Sequence, residues 1–399
     1  MLIDGALMLT ALIAGATVLA FWLDRKIPAL SKLGASLLAL MFGAILSNTG
    51  LVPAASPVYD MIAGPVTMVA IAWLLLAVNL SDLRLAGPRM VLAFGIAITG
   101  TALGAFVGAF LFAGAIGEST WQLAGTLTGT YSGGSLNFVG VARGVGLPAA
   151  LFAGATAADA LMTGVWLGAT MLLPLWIGKF YPPVPEAAFA HPEGVDAGAA
   201  KGTHHPFFVT ASLSVLDLAK LFALGIILLA AAEGAAAGLG ALAATGTVPG
   251  WMGGIPPVLF LTTFALVVGH TPWFTRPEGA LQLGTLALHF FFVVIGIWSR
   301  VAEIAAVGFE VFYYTAVVVG VHGVFVYGVG RLVKLDIGSL SVASQAAVGG
   351  PSSALAVAVS REWPGFILPG VIVGLLGYAV GTYLGFSVAY LVQGMGVGL

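Results

Sequence analysis

Thr128-Gly129-Thr130-Tyr131-Ser132-Gly133-Gly134-Ser135-Leu136-Asn137 and Ser341-Val342-Ala343-Ser344-Gln345-Ala346-Ala347-Val348-Gly349-Gly350-Pro351-Ser352-Ser353 interrupt two otherwise apolar segments, residues 121–147 and 337–363. Paired glycines, and in the second segment a proline, remove helix propensity where a spanning helix would need it most. Neither segment reads as a plain continuous helix. Irregular backbone at membrane depth is tolerated only where protein buries it or where it lines a watery cavity, because lipid cannot satisfy its N–H and C=O groups. Two such breaks at corresponding places in two halves of a chain point to a solute-binding site.

The rest of the chain has the composition this reading needs. Of 399 residues 60% are hydrophobic and only 8% charged, against about 25% charged in a globular domain. Lipid must be the outer solvent. Runs long enough to cross a hydrocarbon core of about 30 Å fall at 4–23, 33–50, 61–80, 90–116, 149–177, 218–243, 255–273, 281–299, 308–332 and 365–393. The first has no basic residue before it and no cleavage pattern after it, so it reads as a retained span. The chain has no cysteine, which removes disulfides, thiolate metal sites and a cysteine nucleophile. A net charge of −2 makes nucleic acid an unexpected partner.

The halves repeat. A shift of 216 residues lays Gly133-Gly134 on Gly349-Gly350, Val141-Ala142 on Val357-Ala358, Pro148 on Pro364 and Gly154 on Gly370. Between the halves lies a polar linker, 178–216, with Pro182, Pro183, Pro185, His191, His204 and His205. If both broken segments cross the membrane, the repeats are parallel and the basic residues divide almost evenly between the two sides. If both are re-entrant hairpins, the repeats are inverted. Arg25, Lys26, Lys32, Arg84, Arg89, Lys179, Lys201, Lys220, Arg276, Arg331, Lys334 and Arg361 then share one side, with Arg143 and Arg300 opposite. The positive-inside rule favours the second arrangement. The expected fold is an all-α polytopic membrane protein with an inverted five-plus-five repeat, two glycine-hinged re-entrant segments, external termini and a cytoplasmic linker. The expected setting is a bacterial cytoplasmic (inner) membrane.

A short helix should begin after each glycine pair, with Ser135 and Pro351 at the starts. Free N–H groups and the positive dipole end there favour an anionic or polar solute, while unwound carbonyls and hydroxyls suit Na+. The candidate solute ligands are Thr128, Thr130, Ser132, Gly133, Gly134, Ser135 and Asn137 with Ser344, Gln345, Gly349, Gly350, Ser352 and Ser353. The plainer alternative is that these small residues only let helices approach closely.

Asp159 sits near mid-depth of its span among Thr156 and Thr163. A carboxylate there is costly unless it faces a cavity or a cation, so these three residues are the candidates for coupling Na+ or H+. The repeat partner of Asp159 is Leu375, which makes any ion site built on it asymmetric. Glu233, Glu310, His289 and His322 read as interhelical hydrogen-bond partners or as residues close to an interface. Trp22, Trp176, Trp273 and Trp298 fit interfacial belts, and Trp73 does not.

The run Gly129-Thr-Tyr-Ser-Gly-Gly-Ser-Leu-Asn-Phe-Val-Gly-Val-Ala142 with Ala157-Ala158-Asp159, and the later Val348-Gly-Gly-Pro-Ser-Ser353 and Leu368-Pro-Gly-Val-Ile-Val-Gly-Leu-Leu-Gly-Tyr378, resemble the bacterial membrane family catalogued as domain of unknown function 819. In that family the aspartate is usually followed by asparagine; here the next residue is Ala160, so no ligand role carries over to that position. The resemblance implies a transporter-like protein. More distantly the chain is similar to the bile-acid/sodium and glutamate/sodium symporter group, in which a core with two discontinuous elements moves against a scaffold. That likeness implies a core of 90–177 and 308–399. Residues 1–89 and 217–307 then form the scaffold and a homodimer interface.

The function expected from these readings is ion-coupled, alternating-access transport of a small polar or anionic organic solute. A cation/proton antiporter and a non-transporting scaffold or partner-binding subunit are the alternatives. Enzyme motifs fail: there is no P-loop, no His-Glu-x-x-His helix and no histidine placed to serve Ser132. No cofactor is expected beyond the coupling ion, and the expected partners are lipid and the solute.

Overall fold

A computed structural model describes residues 5–27, 30, 34–189, 213–271, 278–298 and 301–398. The helices are α1 (Ala6–Lys26), α2 (Gly34–Asn48), α3 (Pro57–Met61), α4 (Thr67–Leu76), α5 (Leu83–Ala86), α6 (Pro88–Ile116), α7 (Thr120–Gly133), α8 (Ser135–Gly144) and α9 (Ala149–Ile177). The second half supplies α10 (Val215–Ala244), α11 (Pro257–Gly269), α12 (Ala280–Trp298), α13 (Val301–Leu332), α14 (Ile337–Ser360) and α15 (Ile367–Gly394). The described residues contain no strand.

Nine helices among the described residues are long and apolar enough to cross a membrane. The expected spans 33–50 and 255–273 appear instead as shorter helices, the second starting at Pro257 and ending at Gly269. Helix α13 starts at Val301, ahead of the expected 308. Lys32, His191, Lys201, His204, His205, Trp273, Arg276 and Arg300 lie outside the described residues.

Local sequence sets the helix starts. Ser56 caps α3 by accepting from the Val58 N–H, with Pro57 in the first turn. A π turn over Ile62–Val66, built around Gly64 and Pro65, then leads into α4. Asp336 caps α14, taking the backbone N–H and the hydroxyl of Ser339, both at 2.8 Å.

Both interrupted segments break at their second glycine, in nearly the same conformation: Gly134 at φ 73°, ψ −166° and Gly350 at φ 76°, ψ −170°. Only glycine occupies that region without strain. Gln122 Nε2 donates to Val145 O at 2.8 Å, joining the far ends of α7 and α8. In α14, a Cβ built on Gly370 would lie 2.5 Å from Val342 Cγ1 and 3.3 Å from Ala354 Cβ, so residues on either side of Gly350 meet one neighbour.

Packing separates the helices into two groups. Helices α6–α9 and α13–α15 pack on one another, and α1, α2, α4, α10, α11 and α12 form a second set with sparser contacts to the first. Helices α6 and α13, which the 216-residue shift superposes, run antiparallel: Gly100 faces His322, Gly104 faces Val318 and Gly108 faces the Tyr314 ring. Tyr314 Oη donates to Ala105 O at 2.8 Å. In the other set Trp73 is buried and donates to Leu221 O at 2.6 Å, which accounts for its departure from the interfacial pattern. Trp22 and Trp176 are exposed, as belt residues should be.

The two repeat-related helices α9 and α15 are packed unequally. Helix α15 seals against both hairpins: a Cβ on Gly374 would lie 2.7 Å from Pro351 N, and one on Gly377 2.6 Å from Ser132 O. On α9, by contrast, Cβ atoms at Gly154, Gly164 and Gly168 would meet nothing within 4 Å.

Candidate functional site

Of Gly154, Gly164 and Gly168 on α9, Gly164 borders a cavity of about 930 Å³. The two hairpin turns form one wall through Thr130, Gly134, Ser135, Gly349, Gly350, Ser352 and Ser353. Helix α9 contributes Thr156, Asp159 and Thr163, and the opposite wall carries Ser36, Leu37, Leu74, Thr285, Leu288, His289 and Phe292. Both breaks and the mid-span acid therefore meet in one space between the two helix groups.

The polar groups have definite surroundings. The Thr163 hydroxyl donates to Asp159 Oδ1 at 3.4 Å, and the Thr130 hydroxyl faces the same carboxylate. The Tyr131 hydroxyl is buried beside Asp159 without reaching hydrogen-bond geometry to any group. On the opposite wall His289 Nδ1 lies 2.7 Å from Thr285 O, so it carries the proton, and Nε2 is left to accept from the Ser36 hydroxyl at 3.4 Å. Asp159 is the only acid in the lining, and among the described residues no lysine or arginine joins it.

Six of the residues expected to bind solute do not line the cavity. Thr128 donates to Ala124 O within its own helix. Gly133 is pressed against Gly377 and the Asn137 amide. Ser132 is fully buried with no partner for its hydroxyl. Asn137 joins three elements: Nδ2 donates to Gly133 O and Gly377 O, each at 3.0 Å, and Oδ1 accepts from the Thr382 hydroxyl at 2.6 Å. Gln345 Oε1 accepts from the Thr170 hydroxyl at 3.4 Å, and its Nε2 has no partner.

Ser344 belongs to a buried hydrogen-bond line. Trp166 Nε1 donates to Ser344 Oγ at 2.9 Å, and Ser344 lies 2.8 Å from His322 Nε2. His322 Nδ1 lies 2.9 Å from the Thr101 hydroxyl, which reaches Tyr131 O at 2.8 Å. One assignment satisfies every group: Trp166 to Ser344 to His322 Nε2, then Nδ1–H to Thr101 and on to the Tyr131 carbonyl. His322 is thus a neutral link between hairpins, a role within its sequence reading as an interhelical partner. Glu233 is exposed on α10, away from the cavity.

Sequence reasoning missed Ser36, Thr285 and Tyr378 in the lining. Ser36 and Thr285 are isolated polar residues in apolar runs, a signal too common in membrane helices to single them out.

The described chain is thus an integral membrane protein: an all-helical bundle of membrane-length apolar helices enclosing one polar cavity at paired helix breaks. Residues 11–395 match the family described as protein of unknown function (DUF819), and the chain belongs to that family. It is also similar to the "Uncharacterized membrane protein YjcL" of Bacillus subtilis (strain 168), with 25% identity over 385 residues, covering 96% of each chain.

Proposed function

We propose that this protein is a secondary active transporter that moves a small polar or anionic organic solute by alternating access, coupled to Na+ or H+ through Asp159. The observation that carries the reading is the cavity where both glycine breaks and Asp159 face a wall of the other helix group. Helix starts exposed at a polar cavity can hold solute. A carboxylate that must cross with its charge neutralised gives the cycle an ion to depend on. In this reading the protein is a carrier and not an enzyme, works in the bacterial cytoplasmic membrane and needs no cofactor beyond the coupling ion.

Two features support inverted repeats with two re-entrant hairpins. The broken segments double back, and the repeat mates α6 and α13 are antiparallel. Lys179 Nζ and the Arg331 guanidinium lie over the same Phe180 ring, at 5.1 and 5.3 Å, so the ends of α9 and α13 share one face. Parallel repeats with twelve crossings would instead set α6 and α13 parallel to each other. On this topology Ser36, Leu74 and Thr285 lie toward the basic, cytoplasmic side, and the cavity is read as inward-facing. The sealed packing of α15 is then the counterpart that opens outward.

Asp159 also keeps a cation/proton antiporter in play as the second reading. Flux in proteoliposomes under separate Na+ and pH gradients tests both readings. Ion-driven flux that Asp159→Asn abolishes is expected. Absence of any solute or ion movement under every gradient would leave the non-transporting scaffold.

A further inference from the structure

We infer that the solute is a zwitterion, an α-amino acid with an apolar side chain, its ammonium held at Asp159 and its carboxylate at the start of α8. This rests on the transporter reading and narrows it. Asp159 has no basic partner in the cavity lining among the described residues. Its carboxylate faces the hydroxyls of Thr130, Tyr131 and Thr163, and Tyr131 is fully buried. An ammonium brings three donors and no acceptor. A carboxylate ringed by hydroxyl oxygens offers what it needs.

One helical turn away the demand reverses. Thr130, which faces Asp159, accepts through its carbonyl from the Gly134 N–H at 2.6 Å, so one helical turn of about 5.4 Å rise leads from that residue to the break before α8. That ten-residue helix has no side-chain cap, and its first N–H groups lack intrahelical acceptors. Ser352 and Ser353 border the same space from the second hairpin.

Neither charge alone satisfies both ends. A simple carboxylate at the helix start would share the cavity with the Asp159 charge. At an effective dielectric constant of ~20, two like charges about 6 Å apart repel enough to weaken binding roughly 100-fold. A simple cation at Asp159 would leave the helix starts without an anion. A solute carrying both charges a few ångströms apart answers both, and Leu74, Leu136, Phe138, Leu288 and Phe292 leave an apolar surround for its side chain. The ammonium and the coupling cation then compete for one carboxylate, which makes the cycle an exchange.

Purified full-length protein is assayed by thermal shift in detergent and by uptake in proteoliposomes, with and without Na+. The probes are L-leucine, L-phenylalanine, isoamylamine (leucine lacking its carboxylate) and 4-methylpentanoate (leucine lacking its ammonium). At least one amino acid should stabilise the protein and be transported, with both single-charge analogues at least 30-fold weaker. Asp159→Asn should lose amino-acid affinity at least tenfold while gaining affinity for 4-methylpentanoate, a gain that an unfolded variant would not show. Binding of 4-methylpentanoate with Na+, or of isoamylamine, as tight as that of the amino acids overturns the inference. Transport of another solute with no response to either amino acid also overturns it, and leaves the transporter reading intact. No flux of any solute or ion removes both.

Discussion

Asn137→Ala separates a structural role for this residue from a ligand role. The side chain is fully buried and makes three hydrogen bonds across the junction of α7, α8 and α15. Truncation leaves the Gly133 and Gly377 carbonyls and the Thr382 hydroxyl without it. Interhelical hydrogen bonds inside membranes average about 0.6 kcal/mol and reach about 1.7, so three amount to roughly 2–5 kcal/mol. The lost volume adds to this, because Asn137 is packed against Gly133 and Gly381 with no slack. Reversible unfolding in mixed micelles would measure the loss, and a double-mutant cycle with Thr382→Val would isolate the 2.6 Å bond, with a coupling of about 0.5–2 kcal/mol. A variant as stable as the parent, with zero coupling to Thr382 and a solute affinity reduced tenfold, would refute the structural assignment.

Gly350→Ala has open space for its methyl group, so its cost should be backbone strain alone, about 1–3 kcal/mol in the same unfolding assay; a neutral result would deny the positive-φ break. Gly374→Ala faces the opposite constraint, normal helical geometry but a Cβ 2.7 Å from Pro351 N, and overpacking should cost about 1–3 kcal/mol and slow any flux that requires α15 to part from the second hairpin. His322→Leu removes the acceptor of the Ser344 hydroxyl and the donor to the Thr101 hydroxyl and should destabilise by about 1–3 kcal/mol; a change under 0.5 kcal/mol would show that the line carries little energy. Because the chain has no cysteine, Thr285→Cys gives a single label site, and an impermeant maleimide should modify it from the cytoplasmic face; labelling only from outside would reverse the proposed orientation.

The membrane character of this chain and the places where its helices break were legible in the sequence, because they follow from local chemistry. An apolar run must meet lipid, and a glycine pair is read from its immediate neighbours. Gly134 and Gly350, which the 216-residue shift aligns, are both positions where the backbone leaves helical geometry. Asp159 was singled out from its depth in an apolar span, as an acid that needs a cavity or a cation beside it.

Which hydroxyls face open space was beyond the sequence, since Ser135 and Ser132 differ by three residues and have the same chemistry. Only the third dimension places Ser135 at the cavity and Ser132 in the packed interior. It also turns Asn137 toward α15, and Ser344 toward His322 and Trp166. The far wall, with Ser36, Thr285 and His289, comes from helices distant in the chain, whose meeting depends on packing that local patterns do not encode. The unequal seating of α9 and α15 is likewise a tertiary fact: two helices related by the repeat lie in different surroundings, and that difference opens the cavity on one side alone.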